Sequence, residues 1–135
     1  MPDEIAYRLN PPLSNLELNA LFSTGWAAWQ TAPDASDWQA VLTHSLVYIG
    51  AFVGESLVGF VNVAWDGRDH AFLLDPRLEP EFRHRGIGSE LVRRAAEESR
   101  AAGCEWLHVD YEPELAPFYE ACGFKSSAAG VMRLR

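Results

Sequence analysis

The run Arg83-His84-Arg85-Gly86-Ile87-Gly88 constrains this chain more than any other stretch, through its position as much as its residues. An extended apolar segment, Ala71 to Leu74, leads toward it, and an amphipathic helical pattern leaves it. A strand feeding a glycine-bearing turn that opens a helix presents free backbone N–H groups and a positive dipole end to whatever docks there, most often a phosphate. Gly86 and Gly88 allow close backbone approach and angles that a Cβ forbids. Arg83 and Arg85 add charge-assisted bonds to an anion. The bland alternative is a solvated helix cap.

What the stretch lacks narrows the ligand. No Gly-Lys-Ser/Thr follows the second glycine, and positions 86 to 91, Gly-Ile-Gly-Ser-Glu-Leu, miss the third glycine of the dinucleotide fingerprint. The remaining pattern, Arg-x-x-Gly-x-Gly within Pro80 to Gly88, resembles the pyrophosphate loop of the GCN5-related N-acetyltransferases (GNAT), which hold acetyl-coenzyme A. A second segment downstream, Phe118-Tyr119-Glu120-Ala121-Cys122-Gly123-Phe124, resembles the Phe-Tyr-x-x-x-Gly-Phe close of the same family's coenzyme A site. A helix and a strand lie between the two, in the family's order. The likeness covers residues from about 46 onward well and the first 45 only in outline.

Composition agrees with one domain. The chain has 135 residues, 48% of them hydrophobic, enough for a single core. No stretch approaches the roughly 18 consecutive apolar residues of a membrane span. The start, Met1-Pro2-Asp3-Glu4, is acidic and lacks the basic region of a signal peptide. Cys104 and Cys122 form no disulfide framework and point to a reducing cytoplasm. Cys122 is expected to be a buried bystander rather than a nucleophile, and no metal-ligand set is read.

Net charge is −8, unevenly spread: residues 77 to 100 hold six of the eleven basic residues against five acids. A nucleic-acid binder would show a dominant basic face instead. An acidic remainder around a basic phosphate pocket suits a cationic acceptor such as an amine, although acidic surfaces also serve solubility.

The pattern along the chain predicts an edge strand over Ile5–Leu9, and Ser14-x-x-Glu17 reads as a capping box opening a helix. A second helix is predicted over Asp34–Leu46 with Trp38, Val41 and Leu42 on its apolar face. Val47–Phe52 and Leu57–Trp65 are strand-like, and a strand follows from His70 to about Glu79. Pro76 inside it cannot donate to a ladder, which requires a bulge or a local loss of pairing. The helix from Gly86 to Ala102 places Ile87, Leu91, Ala95 and Ala102 in one stripe, with Glu90 and Arg94 paired outside and Gly103 at its end. Trp106–Asp110 is a strand, Pro113 to Cys122 a short or kinked helix, and Phe124–Ser127 with Val131–Leu134 a closing hairpin about Ala129-Gly130. The result is an α/β fold: a mixed, mostly antiparallel sheet with helices on both faces. The resemblance adds a splayed pair of parallel central strands, with unpaired backbone there binding the cofactor's amide arm and acetyl carbonyl.

The resemblance also implies the chemistry: acetyl transfer from acetyl-CoA to an amine of a small-molecule or peptide acceptor. Asp75 is the first candidate for a base, three residues before Leu78, with Asp110 and Glu112 next and His70, His84 and His108 behind them. Asp75 could equally be a turn residue before Pro76. The Leu78 N–H corresponds to the family's oxyanion donor. Tyr119 corresponds to its acid for the departing thiolate; outside the motif it would be an ordinary core residue. The phosphate-holding set is Arg83, His84, Arg85, Gly86, Ile87, Gly88 and Ser89. Glu112, followed by Pro113, stands where many members carry an asparagine on the pantetheine arm, which puts one cofactor contact in doubt.

For the acceptor the family points to Trp26, Trp29, Trp38, Asn62 and Trp65, and aromatic rings there could wall a cation, while core packing is the alternative. A non-catalytic acetyl-CoA-binding sensor is the second functional reading. A homodimer is an open expectation, and neither a nucleic acid nor a membrane is an expected partner.

Overall fold

The computed structural model describes residues 4–23 and 35–135. Its elements are β1 (Ala6–Leu9), α1 (Asn15–Phe22), α2 (Trp38–Leu42), β2 (Ser45–Val53), β3 (Ser56–Trp65), β4 (His70–Leu78), α3 (Ile87–Ala101), β5 (Trp106–Val109) and α4 (Ala116–Ala121), with single 3-10 turns at Pro80–Phe82 and Pro113–Leu115. The five strands lie in chain order; every pairing is antiparallel except β4 with β5, which is parallel.

Period-two alternation divides the core between the two faces of the sheet. Val47, Ile49 and Ala51 of β2 pack with Ile87, Leu91, Val92 and Ala95 of α3. On the other face Phe52, Leu57 and Phe60 pack with Leu18 and Leu21 of α1 and Trp38 of α2. The helices therefore cover both faces. From 57 to 63, β3 is buried throughout.

The capping box forms as read. Ser14 Oγ accepts from Glu17 N at 3.0 Å, and Glu17 Oε1 accepts from Ser14 N at 3.0 Å. Such a cap stabilises a helix by about 1 kcal/mol. The second helix is shorter than the predicted span: Asp37 caps it, it ends at Leu42, and β2 begins by Ser45. Val41 is exposed and Trp38 buried; Asp34 lies outside the described residues. In α3 the buried stripe ends on Ser99, not Ala102. The Ser99 hydroxyl donates to Ala95 O at 2.8 Å, which satisfies it inside the helix.

The closing hairpin is not formed. Residues 124–135 contain no strand, and Val131, Met132 and Leu134 are 82–85% exposed. Their apolar pattern fits a strand, but a strand needs a partner for its backbone groups, and this segment has none among the described residues.

Candidate active site

Pro76 breaks the β3–β4 ladder as its chemistry requires. Pairing jumps from Phe60↔Arg77 to Asn62↔Leu74, so Asp75 and Pro76 together oppose Val61. This is a β-bulge, and Asp75 takes the left-handed conformation there, φ 55°. Beyond it the parallel partner falls away: the last β4–β5 pair is Leu73↔Val109, while β4 runs on to Leu78. Glu79 N donates to Val58 O at 2.9 Å, so Gly59 and Leu78 face each other as a pair without mutual bonds. The Leu78 N–H consequently points away from β3, toward the side that β5 has vacated.

The chain then turns through Pro80–Phe82 into the helix start. Gly86 is the N-cap, with φ 79° and ψ 5°, a conformation that a Cβ would strain. Glu90 N is the first to bond back, to Gly86 O at 3.1 Å. The N–H groups of Ile87, Gly88 and Ser89 therefore have no acceptor within the helix and point out of its positive end. A Cβ on Gly88 would lie 3.4 Å from the Phe118 ring.

These pieces enclose a cleft of about 600 Å³. Leu78 and Pro76 come from β4, Arg83 and His84 from the turn, and Gly86, Ile87, Gly88 and Ser89 from the helix start. Tyr119 and Phe118 approach from α4. Of the predicted set, Arg85 lies off the lining, its guanidinium 4.9 Å from the centre of the Phe82 ring. Asp75 also lies off the lining, one residue from Pro76, which is on it.

Tyr119 is 4% exposed. Tyr111 stacks on its ring at 4.7 Å, and Phe118 and Phe124 meet it edge-on at 5.0 and 5.8 Å. Burial, and then the Cys122 thiol, push its phenol above its ordinary range, so it stays protonated at neutral pH. Burial likewise raises Asp75, and a contact from Asn62 partly opposes this. The Cys122 thiol is also raised by burial, which leaves it a poor nucleophile.

The other carboxylate candidates, Asp110 and Glu112, are exposed and off the lining, and Glu112 immediately precedes the 3-10 turn ahead of α4 without a side-chain capping bond. His70 and His108 pair with each other, Nδ1 to Nε2 at 2.9 Å, and Phe72 stacks on His108 at 4.7 Å. Neither histidine reaches the cleft lining. In the acceptor region Trp38 is a core residue, 4.6 Å from Phe22 and 5.9 Å from Phe60 between ring centres. Trp26 and Trp29 lie outside the described residues. Asn62 is 2% exposed, and Trp65 is half-buried.

Sequence reasoning missed Arg77, whose side chain lines the cleft and whose Nε donates to Leu21 O at 3.4 Å. Phe60 was missed as well. The register places Arg77 opposite Phe60, on the face of the sheet against which α1 packs. Among the described residues no cluster of three or more His, Cys, Asp or Glu side chains could hold a metal ion, and no helix is long and apolar enough to cross a membrane.

Residues 13–124 match the acetyltransferase (GNAT) family, and the chain belongs to it. It is 34% identical over 74 residues to a thialysine N-epsilon-acetyltransferase of Bos taurus, covering 53% of this chain and 43% of that one. It is 45% identical over 50 residues to glucosamine 6-phosphate N-acetyltransferase 1 of Oryza sativa subsp. japonica, covering 37% and 30%. The chain thus spans less than half the length of these curated relatives. Its fold matches a GNAT-family acetyltransferase of Streptococcus pneumoniae TIGR4, with TM-score 0.78, 21% identity and 98% of both chains covered. It also matches an aminoglycoside N-acetyltransferase solved in complex with CoA, with TM-score 0.74, 18% identity, and 100% and 97% covered.

Proposed function

We propose that this chain is an N-acetyltransferase that moves an acetyl group from acetyl-CoA directly to an amine of a small-molecule or peptide acceptor, in a reducing cytoplasm. The observation that carries this is the meeting, in one cleft, of a helix start whose first N–H groups lack helical acceptors with the buried Tyr119. The residues fit the cofactor: the unbonded N–H groups of 87–89 and the Arg83 guanidinium suit a pyrophosphate, and the open side of β4 suits an amide-bearing arm. Acetyl-CoA supplies the activated acyl thioester.

The chain's own groups then have three tasks. An alkyl amine of pKa about 10.4 costs roughly 4–5 kcal/mol to deprotonate at pH 7, and Asp75 takes that proton directly or through water. Its burial raises its affinity for the proton and makes it the stronger base. The Leu78 N–H donates to the carbonyl oxygen where negative charge grows. The Tyr119 hydroxyl gives its proton to the departing sulfur. The names of the thialysine and glucosamine 6-phosphate relatives describe amines on small polar molecules, which supports a small acceptor.

Thiol release measured across a panel of amines, alongside coenzyme A binding, tests this reading. Turnover with at least one amine is expected. Binding of coenzyme A without turnover of any amine would instead favour a non-catalytic sensor.

A further inference from the structure

Arg77 has no task in the transfer as described, yet its side chain lies in the cleft. The strand β3 sorts its neighbours by face. Phe60 packs with Leu18 and Leu21 of α1, whereas Val61 packs with the cluster that α3 covers. The β2–β3 register runs without a break from Phe60↔Gly50 to Asn62↔Tyr48, so Asn62 shares the α1 face with Phe60. Asp75 Oδ2 lies 3.5 Å from Asn62 Nδ2 and is drawn to that face. Arg77 stands opposite Phe60, and its Nε donates to Leu21 O, a carbonyl in the last turn of α1. The bulge therefore sets a carboxylate and a guanidinium, two residues apart, on one side of the sheet.

The N–H groups of 87–89 belong to α3, which packs on the opposite face. An anion at Arg77 is thus a different anion from one seated at the helix start. Arg77 and Arg83 supply the Lys or Arg side chains of the described lining, which contains no Asp or Glu. Burial, and then the Arg83 charge, lower the Arg77 pKa, an unfavourable setting that a bound anion relieves. Leu21 O engages one of the five N–H donors of the guanidinium and anchors its plane. A fork held in this way recognises a carboxylate or a phosphate through paired bonds.

We infer that Arg77 sets acceptor specificity: it binds an oxyanion, carboxylate or phosphate, carried by the same molecule whose amine meets Asp75. The acceptor class is then an amine that bears a negative group, not a plain alkyl amine or a diamine. This rests on the acetyl-transfer reading, with the amine approaching Asp75 from the α1 face.

Steady-state kinetics on matched acceptors test it. At saturating acetyl-CoA, ω-amino acids of graded length are compared with their amides, and ω-aminoalkyl phosphates with the corresponding amino alcohols. In at least one pair the anionic member should show a kcat/KM roughly tenfold or more above its neutral partner, mainly through KM. The pair that responds tells carboxylate from phosphate. Arg77→Gln should bring that ratio close to one. Arg77→Lys keeps the charge and loses the fork, so it should keep only part of the ratio. A ratio taken within one protein cancels any general loss from the missing bond to Leu21.

A wild type that turns over amines with every ratio near one overturns the inference and leaves acetyl transfer standing. An undiminished ratio in folded Arg77→Gln does the same, as does a loss confined to coenzyme A binding with the ratio intact. Where circular dichroism shows Arg77→Gln unfolded, an undiminished ratio in Arg77→Lys overturns it. No turnover of any acceptor, charged or neutral, removes the acetyl-transfer reading and this inference with it.

Discussion

The side-chain amide nitrogen of Asn62 lies 3.5 Å from Oδ2 of Asp75, across the point where β4 bulges. Ser45 Oγ donates to the other end of the same amide, at Oδ1. With its oxygen already occupied by a hydroxyl, the amide presents its NH2 group to the carboxylate. A buried side chain spanning β2, β3 and β4 thereby aims a half-buried acid.

Asp75→Asn tests that acid. Turnover with an amine acceptor should fall well beyond any change in coenzyme A binding, and the deficit should shrink as pH rises and free amine becomes abundant. A deficit independent of pH would assign Asp75 to positioning. Stability should move oppositely. Because burial raises the folded-state pKa, the native form binds the proton more tightly, so stability falls as pH rises from the ordinary carboxylate range through that raised value and is lowest above it. Melting should therefore show Asp75→Asn more stable than wild type at neutral pH, with the gain vanishing in acid. Asparagine also tolerates the positive φ at this position.

Tyr119→Phe removes one oxygen and keeps the ring inside the stack of Tyr111 and Phe124. An acid that acts on the leaving group works mainly in the transition state. The expected result is a kcat at least tenfold lower, toward the roughly 10²–10⁴-fold usual for general acids, with cofactor affinity unchanged. Wild-type kcat in a folded variant would remove the hydroxyl from the mechanism.

Gly88→Val puts a branched side chain between the helix start and Phe118. The ring is 36% exposed and has room to yield, so the unliganded fold should persist. Coenzyme A should raise the melting temperature of the wild type by mass action and leave the variant's unmoved. An unchanged affinity in the variant would refute this placement of the pyrophosphate.

Glu90 is a structural control. Arg93 bonds it most strongly and Arg94 adds a second contact, together holding its carboxyl at about 2. A depressed folded-state pKa contributes stability above the ordinary carboxylate range, and that contribution is lost as pH falls toward 2. These arginines are 36–58% exposed, so Glu90→Gln should cost under about 1 kcal/mol at neutral pH. Denaturant titration at neutral and acid pH should show that small loss disappear in acid, with coenzyme A binding intact.

Much of the frame was legible because its causes are local. Ser14 and Glu17 are three residues apart and cap one turn of α1. Pro76 has no N–H to donate, and the bulge follows wherever that strand pairs. The glycines at 86 and 88 and the arginine at 83 occupy one strand–turn–helix passage, and all three line the cleft. The span of α2 was misread because a single-sequence pattern does not set where a helix yields to the next strand. Here Ser45 is already paired with Ala64.

The sequence by itself determined the order of elements as far as α4, the helix entry at Gly86 and the bulge at Pro76. Each follows from backbone angles and donors that a few neighbouring residues control. Tertiary structure alone decided that Arg77 reaches the cleft, that Arg85 turns to Phe82, and that Asn62 is locked between Ser45 and Asp75. It also gave 131–134 no strand partner among the described residues despite their strand-like pattern. These outcomes depend on which residues meet across strands distant in the chain, and on whether a backbone edge finds a partner. Neither is encoded in the spacing of neighbours.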